Sequence, residues 1–214
     1  MGRGPVGAPA IIRYVNNSLT SVDDVSGSDG SMVLIKTLTA SSSANLSFVD
    51  GSSDVVLDNT YPIYLFKWFN VHPATDNVDF QFNLSADTGS NYNVTKTTTA
   101  IGNYHDEADT LAAFEYNTSL DLAQGTGAQL INENIGNGND ESGSGELYLY
   151  NPSSTTFVKH FMAQTQGYDR SNITKHYFYA GYGNTTSAVD AIQFSFSSGN
   201  IDAGTIKLYG IKDS

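Results

Sequence analysis

The chain has 214 residues, 39% of them hydrophobic, and carries 10 basic against 22 acidic residues for a net charge of −12. A chain of this size buries well over half of its unfolded surface, and its acidic balance argues against a nucleic-acid partner and against docking on an anionic membrane. Cysteine is absent, which excludes disulfides and thiolate metal sites, and no apolar run approaches the roughly 20 residues of a membrane helix.

Residues 1–31 read as an extended N-terminal arm. Met1–Ala10 (MGRGPVGAPA) has glycines and prolines that interrupt a regular ladder. Residues 16–31 (NNSLTSVDDVSGSDGS) are polar and turn-prone. Val6–Ile12 is broken by Gly7 and Pro9 and does not read as a secretory signal. Val6 stands where a myristoylation motif needs Ser or Thr. With so little apolar surface, the arm is expected to be disordered alone and to order against a partner. Arg3, Pro5, Pro9, Ile11, Ile12, Arg13 and Tyr14 are its candidate anchoring residues.

From Met32 to Ser214 the period is 2, the signature of half-buried strands. Val33, Ile35 and Thr37 alternate with Leu34 and Lys36, and Val78, Phe80, Phe82 and Leu84 alternate with Asp79, Gln81 and Asn83. Ile192, Phe194 and Phe196 alternate with Gln193 and Ser195, and Ile206 and Leu208 flank Lys207. Tyr61–Phe69, Gly145–Tyr150, Phe157–Ala163 and His176–Ala180 are apolar or aromatic on both faces, as in central strands or strands whose outer face meets something. Turn clusters separate them at Asp50–Asp54, Ala86–Asn91, Gly136–Gly145 and Ser197–Asn200. Asp106–Tyr116 (DEADTLAAFEY) is the one window with helical spacing, opened by acids that suit a helix dipole. The fold predicted is all-β: an antiparallel β-sandwich of the jelly-roll type over residues 32–214, with at most one short helix.

Few constellations point to chemistry. His105, Asp106, Glu107 and Asp109 could hold a divalent ion but read better as a solvated loop. Asp50, Asp54 and Asp58 could form a calcium loop but read better as a capped turn. His160 and His176 read as hydrogen-bonded histidines in or near the core. Of the five glutamates, Glu107, Glu115, Glu133, Glu141 and Glu146, only Glu107 alternates with another acid, Asp109, and that pair falls in the helix-like window and not in a strand, as a jelly-roll glycosidase would require. Neither a nucleophile elbow nor a phosphate-binding loop is present. The expectation is a chain without catalysis, cofactor or metal. N-x-S/T triplets at Asn16, Asn45, Asn83, Asn93, Asn117, Asn172 and Asn184 are what an Asn-, Ser- and Thr-rich chain produces by chance. The aromatics are more informative, with 13 Tyr and 11 Phe. Tyr148 and Tyr150 share one strand face, as do Tyr177 and Tyr179, and as do Tyr64, Phe66 and Trp68. Sheet packing, a subunit interface and glycan contact all use such residues. Tyr148, Tyr150, Tyr177 and Tyr179 are the candidate interface or glycan contacts.

Three segments carry a resemblance: residues 41–73, with Tyr61, Tyr64, Phe66, Asn70, Val71 and Pro73 in sequence; residues 145–161 (GELYLYNPSSTTFVKHF); and residues 197–212 (SSGNIDAGTIKLYGIK). Together they resemble small β-sandwich virion proteins of marine tailed bacteriophages, cyanophages and pelagiphages among them, over about residues 32–212. The resemblance implies a structural or accessory protein of the particle; taken with the arm of residues 1–31 and the period-2 body, the expectation is a capsid decoration or head-fibre module anchored through that arm to other capsid, neck or tail proteins. It implies a homo-oligomer, with a trimer as the common state, assembled in the host cytoplasm and carried in the virion. It assigns no catalytic residue. A tail-fibre module recognising a host-surface glycan is the alternative, and a polysaccharide-degrading enzyme is the third reading.

Overall fold

The computed structural model describes residues 12–15, 18–22 and 31–213 and divides the chain into two units, Met1–Gly30 and Ser31–Ser214. In the first unit β1 (Ile12–Val15) pairs antiparallel with β2 (Ser18–Val22), so a short ladder runs into the stretch whose composition predicts turns. Of the anchoring candidates, Arg3, Pro5, Pro9 and Ile11 lie outside the described residues; Ile12, Arg13 and Tyr14 fall on β1.

The second unit holds twelve strands: β3 (Met32–Thr39), β4 (Leu46–Val49), β5 (Ile63–Pro73), β6 (Val78–Ser85), β7 (Lys96–Asp106), β8 (Ala112–Tyr116), β9 (Gln129–Ile135), β10 (Gly143–Tyr150), β11 (Lys159–Asp169), β12 (Ile173–Gly183), β13 (Ala191–Phe196) and β14 (Ile201–Ile211). All pairings are antiparallel, and no helix occurs among the described residues. Eight strands form nested pairs: β3 with β14, β4 with β13, β5 with β10, and β6 with β9. Two further contacts, β14 with β5 and β13 with β6, roll this long double ribbon into two facing layers. The layers, β3-β14-β5-β10 and β4-β13-β6-β9, have the strand order of a jelly roll. Two hairpin insertions, β7–β8 and β11–β12, widen the first layer to eight strands, in the order β3-β14-β5-β10-β11-β12-β7-β8. The layers meet where Asp169 of β11 pairs with Ile135 of β9, which nearly closes the sandwich.

Alternation along each strand sorts side chains to the inside or the outside. One row across the wide layer, Leu208–Phe66–Leu147–Ala163–Tyr179–Ala100, is buried throughout. Opposite it, Phe80, Phe82, Phe194 and Phe196 fill the inner face of the small layer. Phe194 is the hub: its ring centroid lies 5.7 to 6.3 Å from those of Phe48, Phe66, Trp68, Phe80 and Phe82. Aromatic pairs of this kind add about 0.5–1.5 kcal/mol each beyond the area they bury.

The helical expectation for Asp106–Tyr116 is corrected. The window is the tip and second strand of the β7–β8 hairpin. The Asp106 carboxylate accepts from the Thr110 and Leu111 amides at 2.8 and 2.9 Å, and Asp109 takes a positive φ of 56°. An Asx-type turn therefore replaces the first helical turn. The five residues that follow gain a ladder with β7 that outweighs the helix propensity of Ala112, Ala113 and Glu115.

Candidate functional site

Two of the four sequence-predicted contact residues, Tyr148 and Tyr150, lie on the outer face of the wide layer. Tyr148 and Tyr150 point outward and are half-buried, their rings stacked at 6.4 Å with an interplanar angle of 16°. The Tyr150 hydroxyl reaches the Met162 sulfur at 3.7 Å. Cross-strand pairing sets one outer row as Leu34–Tyr209–Leu65–Tyr148–Met162–Ala180–Thr99. The next is Lys207–Lys67–Glu146–Gln164–Phe178–Ile101–Tyr116. A third joins Ser144, Gln166, His176, Asn103 and Phe114.

Tyr177 and Tyr179 do not belong to this face, which corrects their assignment as surface contacts. Both are 1% exposed and point between the layers. Gly102 lies opposite Tyr177 on β7, and a methyl group there would overlap the tyrosine ring, so the glycine makes the room that turns this edge of β12 inward. The Tyr177 hydroxyl donates to Glu133, and burial together with that carboxylate pushes its ionisation well upward. Burial alone does most of the same to Tyr179. Tyr64, Phe66 and Trp68 are likewise core residues.

His160 and His176 are corrected in the opposite sense. His160 is exposed, packing edge-on against Tyr182 at 6.2 Å. His176 sits on the outer face, 4.5 Å from the Phe178 ring centre, with its Nε2 2.9 Å from the Gln164 side-chain nitrogen.

Beside His176, a shallow depression of about 350 Å³ is lined by Lys67, Phe69, Glu146, Gln164, Gln166 and His176. Lys67 pairs with Glu146 at 3.2 Å, and the Lys207 ammonium stands 5.7 Å over the Phe69 ring. The depression offers flat aromatic surface beside amide, carboxylate and ammonium groups, a mixture suited to a polar ring-shaped ligand. Sequence reasoning missed it because its walls come from β5, β10, β11 and β12. Gln164 and Gln166 lie just beyond the run Phe157–Ala163, so no local pattern in the sequence marked it.

The other sequence candidates sit in turns. Asp50 accepts from the Leu57 amide at 2.8 Å and Asp58 from the Thr60 amide at 2.7 Å. His105 faces Asp109 at 3.2 Å on the exposed hairpin tip. Among the described residues no cluster of three or more His, Asp or Glu could hold a metal ion. The acids that do converge were not singled out as a pair. Asp169 and Glu133 meet Lys175 at 2.7 and 3.8 Å, at the corner where the layers join. Their charges are directed at a lysine between the layers.

No known protein family, curated protein or solved structure matches this chain.

Proposed function

We propose that the chain is a structural module of a bacteriophage particle surface, a capsid decoration or head-fibre domain attached through Met1–Gly30 to other virion proteins. The observation that carries the reading is the strand order, β3-β14-β5-β10 facing β4-β13-β6-β9. Jelly rolls recur in viral capsid and lectin domains, but a fold alone does not specify function. Three further features support the reading. The chain has a small N-terminal unit distinct from the sandwich. Its carboxylates serve turns and ion pairs. Its net charge of −12 keeps free subunits soluble before assembly. The test is to express the full chain and one lacking Met1–Gly30 during infection and to weigh both in purified particles. The full chain is expected in the particles and the shortened one in the supernatant. Equal incorporation overturns the anchoring role, and absence of the full chain from particles overturns the reading.

The depression beside His176 favours a second reading, a receptor-binding module for a host-surface glycan. Lys67, Glu146, Gln164 and Gln166 would bond sugar hydroxyls while Phe69 stacks on a ring face. Gln164→Ala is expected to weaken binding on a glycan array by about tenfold, the worth of one or two neutral hydrogen bonds. An array with no saturable binding refutes this reading.

A further inference from the structure

Among the described residues the wide layer ends at β8, which pairs with β7 alone. In the β7–β8 ladder the Asn117 amide donates to Ala100 and the Asp106 amide to the Leu111 carbonyl. Hydrogen-bonded positions alternate along an antiparallel pair. Residues 111, 113, 115 and 117 therefore turn their backbone groups toward β7. Ala112, Phe114 and Tyr116 turn theirs away, and none of the hydrogen bonds found among the described residues involves those backbone groups. The same three residues are exposed, and Phe114, at 77%, is the most exposed large hydrophobic of the described residues. Edge strands of soluble proteins are ordinarily guarded by lysine, proline or a bulge. The sequence here is AAFEY, and its pairing with β7 runs in unbroken register.

We infer that β8 is a dimerisation edge, pairing antiparallel with β8 of a second copy about a two-fold axis at Phe114. The strand is self-complementary in this register. Ala112 meets the partner's Tyr116, Phe114 meets the partner's Phe114, and all three open positions face open positions. Three residues on each strand, each with one N–H and one C=O, give about six hydrogen bonds. Sliding the register by two residues leaves about four, and one of the two slides sets Glu115 against Glu115. The centred register sets each Glu115 against Ala113, so no like charges face each other. The result is one continuous wide layer through two sandwiches, with the outer rows of both copies on the same side. This goes beyond the virion reading, does not depend on it, and is tested without a particle.

Sedimentation equilibrium of the full chain is expected to give twice the 23.0 kDa subunit mass. The proportion of dimer should rise with added salt, because two subunits of net charge −12 repel at low ionic strength. Phe114→Pro removes only an N–H that β7 does not use, as proline is tolerated at open edges. That variant should sediment as a monomer and melt where the dissociated wild-type chain does at low concentration. The chain has no cysteine, so Phe114→Cys introduces a single thiol. Hydrogen-bonded antiparallel partners lie about 5.5 Å apart at Cα, within disulfide range. Mild oxidation should yield a covalent dimer, while Phe157→Cys, also accessible at 68% exposure but off the edge, should pair through β8 without forming the cross-link. A wild-type monomer at every concentration overturns the inference. So does a trimer, a dimer that survives Phe114→Pro, or equal cross-linking through Phe157→Cys.

Discussion

Lys175→Met should be among the most damaging single changes in the sandwich. The Lys175 ammonium sits 2.7 Å from Asp169, 3.8 Å from Glu133 and 3.3 Å from the Asn134 side-chain oxygen. Its side chain is 12% exposed and that of Asp169 only 5%. Methionine keeps the volume and removes the charge, leaving the nearly dry Asp169 carboxylate without its cation at the point where β11 meets β9. Breaking a buried pair from one side costs about 3–5 kcal/mol, a large part of the ~5–15 kcal/mol that holds a domain folded. With a urea slope of about 2 kcal/mol/M, the unfolding midpoint should fall by roughly 2 M. Adding Asp169→Asn removes the orphaned charge and keeps the oxygen that accepts from the Ser171 amide at 2.7 Å. The double variant should therefore be more stable than Lys175→Met alone. Equilibrium urea unfolding of both variants decides the matter. A loss below 1 kcal/mol for the single change, or no recovery in the double, would refute the clamp.

The remaining predictions concern pH, close packing and the two tyrosine faces. Burial pushes Lys96 down from 10.5 to about 8; between those values the unfolded chain holds more protons, so stability should rise with pH from about 8 to 10.5. Tyr64, Tyr177 and Tyr179 are pushed above 10.0 chiefly by burial. Above pH 10 they ionise only on unfolding, so stability should then fall. Thermal melts from pH 7 to 11 should show a maximum near 10, and Lys96→Met should flatten its rising side. Gly102→Ala should cost about 1–3 kcal/mol in urea unfolding, because its methyl group overlaps the buried Tyr177 ring. Tyr177→Ser should cost at least about 3 kcal/mol through its cavity and the lost Glu133 bond. Tyr148→Ser, on the outer face, should cost about 1 kcal/mol or less by the same assay.

Strands with one apolar face were legible at once. Val78, Phe80, Phe82 and Leu84 are buried as their spacing predicts, and so are Ile192, Phe194 and Phe196. Period 2 also placed Tyr177 and Tyr179 on one face of β12, but it cannot say which face is inside when Phe178 lies between them. That sign is set by Gly102 on a neighbouring strand more than seventy residues away in sequence. β7 and β9 left a weak imprint because their inner positions include Lys96, Thr98 and Gln129. Thr98 and Gln129 satisfy each other at 2.7 Å, and Lys96 donates to the Asn83 side-chain oxygen on β6. These polar groups are buried only because distant partners bond them. The depression beside His176 was illegible for the same reason, since four strands bring its walls together. The jelly-roll class followed from strand count and turn spacing, whereas the nesting of β3 with β14 and β4 with β13 is long-range pairing that no local pattern records.

A cryo-electron-microscopy map of purified phage particles carrying this chain tests the central claim most directly. The account predicts regularly repeated exterior density into which the β3–β14 sandwich fits, joined to the particle through the chain preceding Ser31. Particles without such density, or with the chain absent from them altogether, would contradict it.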